Sequence, residues 1–121
     1  MELAKICEVM ALMADIDTEA AFRHVAIARL AAGEVRARLR PGVDEAEHKE
    51  RLTYVCAAVA NYRYALLEAA RERATTVKTG SVSVTSAPGE RLAAAKALRD
   101  ELWGMAADIL CDADFLFGQV M

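Results

Sequence analysis

Glu45-x-x-His48 is the pairing of reactive side chains that the sequence places closest to a useful geometry. One carboxylate and one imidazole a helical turn apart are half of a carboxylate-bridged di-iron site. The other half would be a second Glu-x-x-His and two further glutamates on neighbouring helices, and no second match exists. Glu45 and His48 therefore read as a solvated first turn of a helix within an acidic stretch. His24, between Arg23 and Val25, reads as a surface or satisfied histidine. Cys7, Cys56 and Cys111 each lie in an apolar stretch, where a thiol is harder to ionise and less reactive. The glycines at 33, 42, 80 and 89 are isolated, so there is no phosphate-cradling loop. The chain reads as non-catalytic, and no residue set calls for a metal or a cofactor.

Two further groupings could bind rather than react. Arg29, Arg36 and Arg40 fall on one face of a helix. They form either a solvated stripe paired with Glu34 and the acids of 44–50, or a basic surface lining a passage for DNA. Tyr54, Tyr62, Arg63 and Tyr64 cluster further on. Tyrosine and arginine are enriched at protein interfaces. Tyr62 reads as core, and Tyr54 and Tyr64 as interface candidates.

Helices must position these groups. The first is expected over about Leu3–Met13, with Ile6, Val9, Met10 and Met13 at helical spacing. It ends at Asp15-Ile16-Asp17, where Asp17 caps a second helix running to about Arg40 and stopped by Pro41-Gly42. Asp44 caps a third, long helix to about Arg73, with acids at its start and arginines at its end. Leu52, Val55, Cys56, Val59, Tyr62 or Arg63, Leu66 and Ala70 line one of its faces, and Ala57, Ala58, Tyr64 and Leu67 the other. A helix apolar nearly all round is buried on more than one side, and part of that surface is expected to be a subunit interface. From Thr75 to Thr85 the pattern alternates and is rich in β-branched residues, which predicts a β-hairpin turning at Thr79-Gly80. Ser86 caps a fourth helix with Pro88 in its first turn. Its stripe is Leu92, Ala95, Leu98, Leu102, Met105 and Ile109, widened by Trp103 and Leu110. The apolar tail from Asp112 to Met121 is expected to dock on its own domain or on a neighbour.

The resulting fold class is all-α: about four helices in one small bundle over residues 1–121, with one inserted hairpin at about 75–85. Composition agrees, since 55% of the 121 residues are hydrophobic but only 6% aromatic, and alanine fills the difference. Fifteen basic against eighteen acidic residues give a net charge of −3, which argues against a dedicated nucleic-acid binder. Three cysteines without a spacing motif suit a reducing compartment. Neither a signal peptide nor a membrane span is read: Glu8 and Asp15 interrupt the first apolar run, and Asn61, Arg63 and Glu68 the longest one.

The order of these pieces is itself informative. The helix carrying Leu52-Thr53-Tyr54-Val55-Cys56-Ala57-Ala58-Val59-Ala60-Asn61-Tyr62-Arg63-Tyr64-Ala65-Leu66 is followed by Val77-Lys78-Thr79-Gly80-Ser81-Val82-Ser83-Val84, then by another helix and a terminal Asp112-Ala113-Asp114-Phe115-Leu116-Phe117. This resembles the small head–tail connector (adaptor, head-completion) proteins of tailed bacteriophages and prophages, most closely over residues 50–117. Ser81 departs from the family's pattern, which often carries an acid there. The resemblance implies a structural protein that assembles as a homo-oligomeric ring below the portal, extends the DNA channel and docks tail or stopper proteins. DNA would be passing cargo, no membrane would be involved, and the protein would move from the bacterial host cytoplasm into the virion. Val77, Lys78, Gly80, Val82, Val84, Tyr54, Tyr64, Phe115 and Phe117 are the expected interface residues. A different class, a small helical regulatory or partner-binding module of a bacterial mobile element, is the alternative.

Overall fold

The structure, a computed structural model, describes residues 2–79 and 87–111, without the side chains of 73–79, 87 and 88. The described residues form five α-helices: α1 (Leu3–Ala14), α2 (Thr18–Arg23), α3 (Val25–Ala37), α4 (Lys49–Thr79) and α5 (Ala87–Met105). A 3-10 turn, Glu45–His48, leads into α4. The all-α class is therefore the observed one.

The two expected aspartate caps are in place. Asp17 accepts a hydrogen bond from the Ala20 amide at 2.7 Å, and Asp44 accepts one from the Ala46 amide at 3.0 Å. Each satisfies an amide that the helix start would otherwise leave unpaired. Asp15 closes α1 in the left-handed region at φ 56°, a conformation that aspartate tolerates better than most residues. Gly42 takes φ 84° in the turn after α3, where a side chain would be strained.

Helix α4 is the axis of the bundle, and α1, α3 and α5 all pack on it. Val55, Cys56, Ala57, Ala58, Val59 and Ala60 are each 2% exposed or less. Six consecutive buried residues cover every direction around a helix, so this stretch must be walled in on all sides. Ile6, Cys7, Met10 and Ala11 of α1 and Ala28, Ala31, Ala32 and Val35 of α3 supply part of the wall. Trp103, Ala106, Ile109 and Leu110 supply more. Over 55–60 the chain covers itself, while Tyr54 and Leu66 of the same helix stay exposed.

Three boundaries differ from the sequence reading. The second helix is two helices that pivot at His24 (φ −107°, ψ 31°), so α2 stays on α1 while α3 lies along α4. Helix α5 ends at Met105, which is 67% exposed, and Trp103 rather than Met105 enters the core at 4% exposed. The largest correction is at Thr75–Thr79. These residues are the end of α4 and not a strand, and among the described residues there is no strand. The β-branched residues cost only about 0.5–0.7 kcal/mol each in a helix. Extending a helix already formed carries no nucleation cost, whereas a lone two-stranded hairpin is marginal in water. The rest of the expected hairpin, Gly80–Thr85, and the expected Ser86 cap lie outside the described residues.

Candidate functional site

The expected interface residues separate into three groups. Tyr54 stands on α4 and is 45% exposed. Three residues before it, Arg51 makes a two-pronged ion pair with Asp108, at 2.9 Å to Oδ1 and 3.0 Å to Oδ2. Arg51 also donates to the backbone carbonyl of Met105 at 3.4 Å, and both Tyr54, one turn after Arg51, and Met105 are exposed. Tyrosine, methionine and arginine around one polar contact have the composition of an interface centre. Tyr64 is half-buried instead, its ring edge-on to His24 with centroids 5.0 Å apart. Burial, and then the neighbouring Glu68 carboxylate, push its phenol above the usual range. Val77 and Lys78 lie near the end of α4. Gly80, Val82, Val84, Phe115 and Phe117 lie outside the described residues, as does the tail from Asp112 onward.

The basic face is mostly committed to holding the fold. The Arg36 guanidinium grips Glu45 with Nε at 3.2 and 3.3 Å and Nη2 at 3.2 Å. Arg40 donates Nε to the Ala107 carbonyl at 3.0 Å, and its amide donates to Ile109 at 2.9 Å. With the Cys111 amide donating to Arg38 at 2.8 Å, this makes a short antiparallel bridge between Leu39 and Leu110. Arg29 is exposed and has no ion-pair partner among the described residues. On α4, Arg63 pairs with Glu34 of α3.

Glu45 and His48 likewise have partners of their own. Glu45 is held by Arg36, and the Nδ1 of His48 lies 3.1 Å from Arg51. Among the described residues no three or more His, Cys, Asp or Glu side chains gather as a metal site would require. Nor is any described helix long and apolar enough to cross a membrane.

These ion pairs give the fold an acid-sensitive component. Hydrogen bonds from Arg36 hold the Glu45 carboxyl below its ordinary 4.5, and hydrogen bonds from Arg51 hold Asp108 below 3.8. A carboxyl depressed in the folded state stabilises above its unfolded pKa and loses that contribution as pH falls through the folded value. The thermal midpoint is therefore expected to drop as pH falls below about 4.5, and Glu45→Gln with Asp108→Asn is expected to flatten that slope. Both pairs are substantially exposed, so the effect is small. Equal slopes in the variant and the parent chain would remove these pairs from the acid response.

The cysteines differ in reach. Cys7 and Cys56 are buried and Cys111 is half-buried, all as free thiols. Burial pushes Cys7 up and Cys56 to about 12, so neither is a ready nucleophile near neutral pH. Alkylation of the folded protein at pH 8, read by mass spectrometry, is expected to modify Cys111 and spare Cys7 and Cys56 until denaturant is added. Early labelling of Cys56 would contradict the packing around α4.

The sequence reading missed two features. Arg99 is only 2% exposed, with its guanidinium 4.2 Å from the Tyr62 ring centroid and bonded to Asp100 at 2.8 and 3.0 Å. A cation over an aromatic face explains how α5 buries a charge against α4. The second is a groove of about 330 Å³ between the end of α1, α4 and α5, lined by Asn61 and Tyr64 among others. No local sequence signal marks it, because its walls come from three separate helices.

No family model matches the chain, and no curated protein or solved structure is detectably similar to it.

Proposed function

We propose that the chain is a structural head–tail connector of a tailed bacteriophage or prophage, a ring-forming adaptor below the portal that extends the DNA channel and docks tail or stopper proteins. The observation that carries the proposal is the order of segments. An Ala-x-Ala-x-Tyr-Arg-Tyr stretch on α4, a Lys-x-Gly-x-Val-Ser-Val segment, α5 and an Asp-x-x-Phe-x-Phe end follow one another in an all-helical domain. Its large exposed apolar side chains are compatible with such a role: Leu12 is 82% exposed, Met105 67% and Leu30 54%. Exposed Tyr54 and Met105, on the two helices that the Arg51–Asp108 ion pair joins to the turn after α5, are candidates for contact with a protein partner. Arg29 is the cation left to line a passage for DNA, since Arg36 and Arg40 are engaged within the fold. A closed ring requires a heterologous contact, in which two different patches of the same chain meet.

Purified protein examined by negative-stain electron microscopy across a concentration series tests the proposal. Ring-shaped particles, or a ring formed on addition of a portal protein, are the expected result. A chain that stays monomeric at every concentration and binds neither portal nor tail proteins would leave the partner-binding module as the better reading.

A further inference from the structure

We propose that the outer face of α3 is a contact for a second copy of the chain, with the two α3 helices side by side and parallel about a two-fold axis. This contact is separate from the ring contact and does not rest on the connector reading. The inner side of α3 is buried in its own domain through Ala28, Ala31, Ala32 and Val35. The outer side is a shallow groove lined by Ala26, Arg29, Leu30, Gly33, Glu34 and Ala37. Leu30 is 54% exposed, and Ala26, Arg29, Gly33 and Ala37 are exposed with it.

The order of these residues says what fits there. Ala26, Leu30, Gly33 and Ala37 are spaced four, three and four apart, which is the a and d seam of a heptad repeat. In the same frame the buried residues 28, 31, 32 and 35 fall at b, c and f, so seam and core use opposite sides of one helix. Arg29 then occupies a g position, and Glu34 the e position five residues on. In a parallel pair each g residue lies beside the following e residue of the other helix. Arg29 of each copy thus stands next to Glu34 of the other, twice over by symmetry. An antiparallel pair would set Arg29 beside Arg29 and Glu34 beside Glu34, so charge selects the parallel arrangement.

The glycine and the charges are both unexplained by the domain alone. Gly33 sits inside a 13-residue helix, where glycine is a poor helix former. A Cβ added there would meet nothing within 4 Å, so packing among the described residues gives no reason for its absence. A second helix laid on the seam does, because a missing side chain lets another backbone approach closely. Arg29 has no ion-pair partner among the described residues. Glu34 holds Arg63 through Oε1, while its buried Oε2 has no hydrogen-bond partner among the described residues. The contact brings opposite charges near each other and needs no bond to that buried oxygen.

Helix α3 is only about 20 Å long, so the paired faces fall below the about 1,000 Å² of a stable interface. The pair is weak, and being two-fold it joins two copies without building a ring. It belongs to the free protein, since the connector reading gives Arg29 to the DNA passage and the two uses exclude each other.

Ala26→Cys and Ala37→Cys, each combined with Cys111→Ser, test the contact under copper–phenanthroline oxidation. Circular dichroism checks the fold, and mass spectrometry locates the link. Each variant is expected to form a disulfide dimer with itself, because like positions face each other in a parallel pair. The two positions are about 16 Å apart along the helix, so an antiparallel pair would link Ala26→Cys only to Ala37→Cys in a mixture. Adding Gly33→Leu is expected to cut the linked fraction about five-fold or more while raising the thermal midpoint, since leucine is the better helix former. Adding Arg29→Glu is expected to cut it about five-fold by setting like charges together. Linkage that persists in Val82→Asp separates this contact from the ring contact, and linkage lost there overturns a pair in the free protein. Links between unlike positions only, or links that survive both Gly33→Leu and Arg29→Glu, overturn the parallel seam. So does the absence of any link in folded variants, the result expected if a segment of the chain itself covers this face. Each of these failures leaves the connector reading standing.

Discussion

Trp103→Ala is expected to lower unfolding stability by about 3–5 kcal/mol, the range for removing a large buried aromatic. Trp103 is 4% exposed and belongs to the same buried cluster as Cys56, Val59 and Leu110. Its indole N–H donates to the Cys111 carbonyl at 2.8 Å, so the substitution also strips a polar partner from the end of the described chain. That carbonyl lies beside the Leu39–Leu110 bridge, which ties the segment after α3 to the segment after α5. Domains of this kind are stable by only about 5–15 kcal/mol, so the loss takes a large share of the total. Urea denaturation followed by far-ultraviolet circular dichroism measures it, with a lower midpoint and an unchanged slope expected. A cost below about 1 kcal/mol would mean that the α5 end is not seated on α4 as described.

Val82→Asp is expected to have the opposite profile: almost no effect on the fold and a large effect on assembly. Val82 is one of the residues expected at an interface, and it stands in the connection after α4. Under the connector proposal Val82 is an assembly contact outside the core, and a substitution there usually changes stability by no more than about 0.5 kcal/mol. A carboxylate pushed into an apolar contact, by contrast, must be desolvated without a partner. Helical content and thermal midpoint should therefore match the parent chain while oligomers disappear. Unfolding instead would make Val82 a core residue and remove the connection from the assembly surface.

Much of the helical frame is legible in the sequence, because its signals are local. Asp17 and Asp44 cap through their own side chains, Pro41-Gly42 stops α3 within a few residues, and the apolar run on α4 announces burial on every side. Features decided by distant contacts are not legible. The pivot at His24 follows from where α2 and α3 find their partners, and the edge-on contact with Tyr64 joins residues far apart in the chain. Met105 and Trp103 both fit the helical stripe, and only the turn after Met105 decides which of them is covered. At Thr75–Thr79 the local signal pointed to a strand, and the helix already built before it prevailed. The same distinction applies to the candidate surfaces. Tyr54 could be picked out by residue type, but the contacts of nearby Arg51 with Met105 and Asp108 could not. Asn61 reads as a polar interruption in an apolar helix, and the groove it lines is completed by α1 and α5.

The central claim is that this domain exists to assemble with copies of itself. Native mass spectrometry of the purified parent chain over a rising concentration series tests it most directly. The account predicts a single closed oligomer of identical subunits growing at the expense of monomer, and its absence in Val82→Asp. Monomer alone at every concentration, with portal protein present or absent, would contradict it.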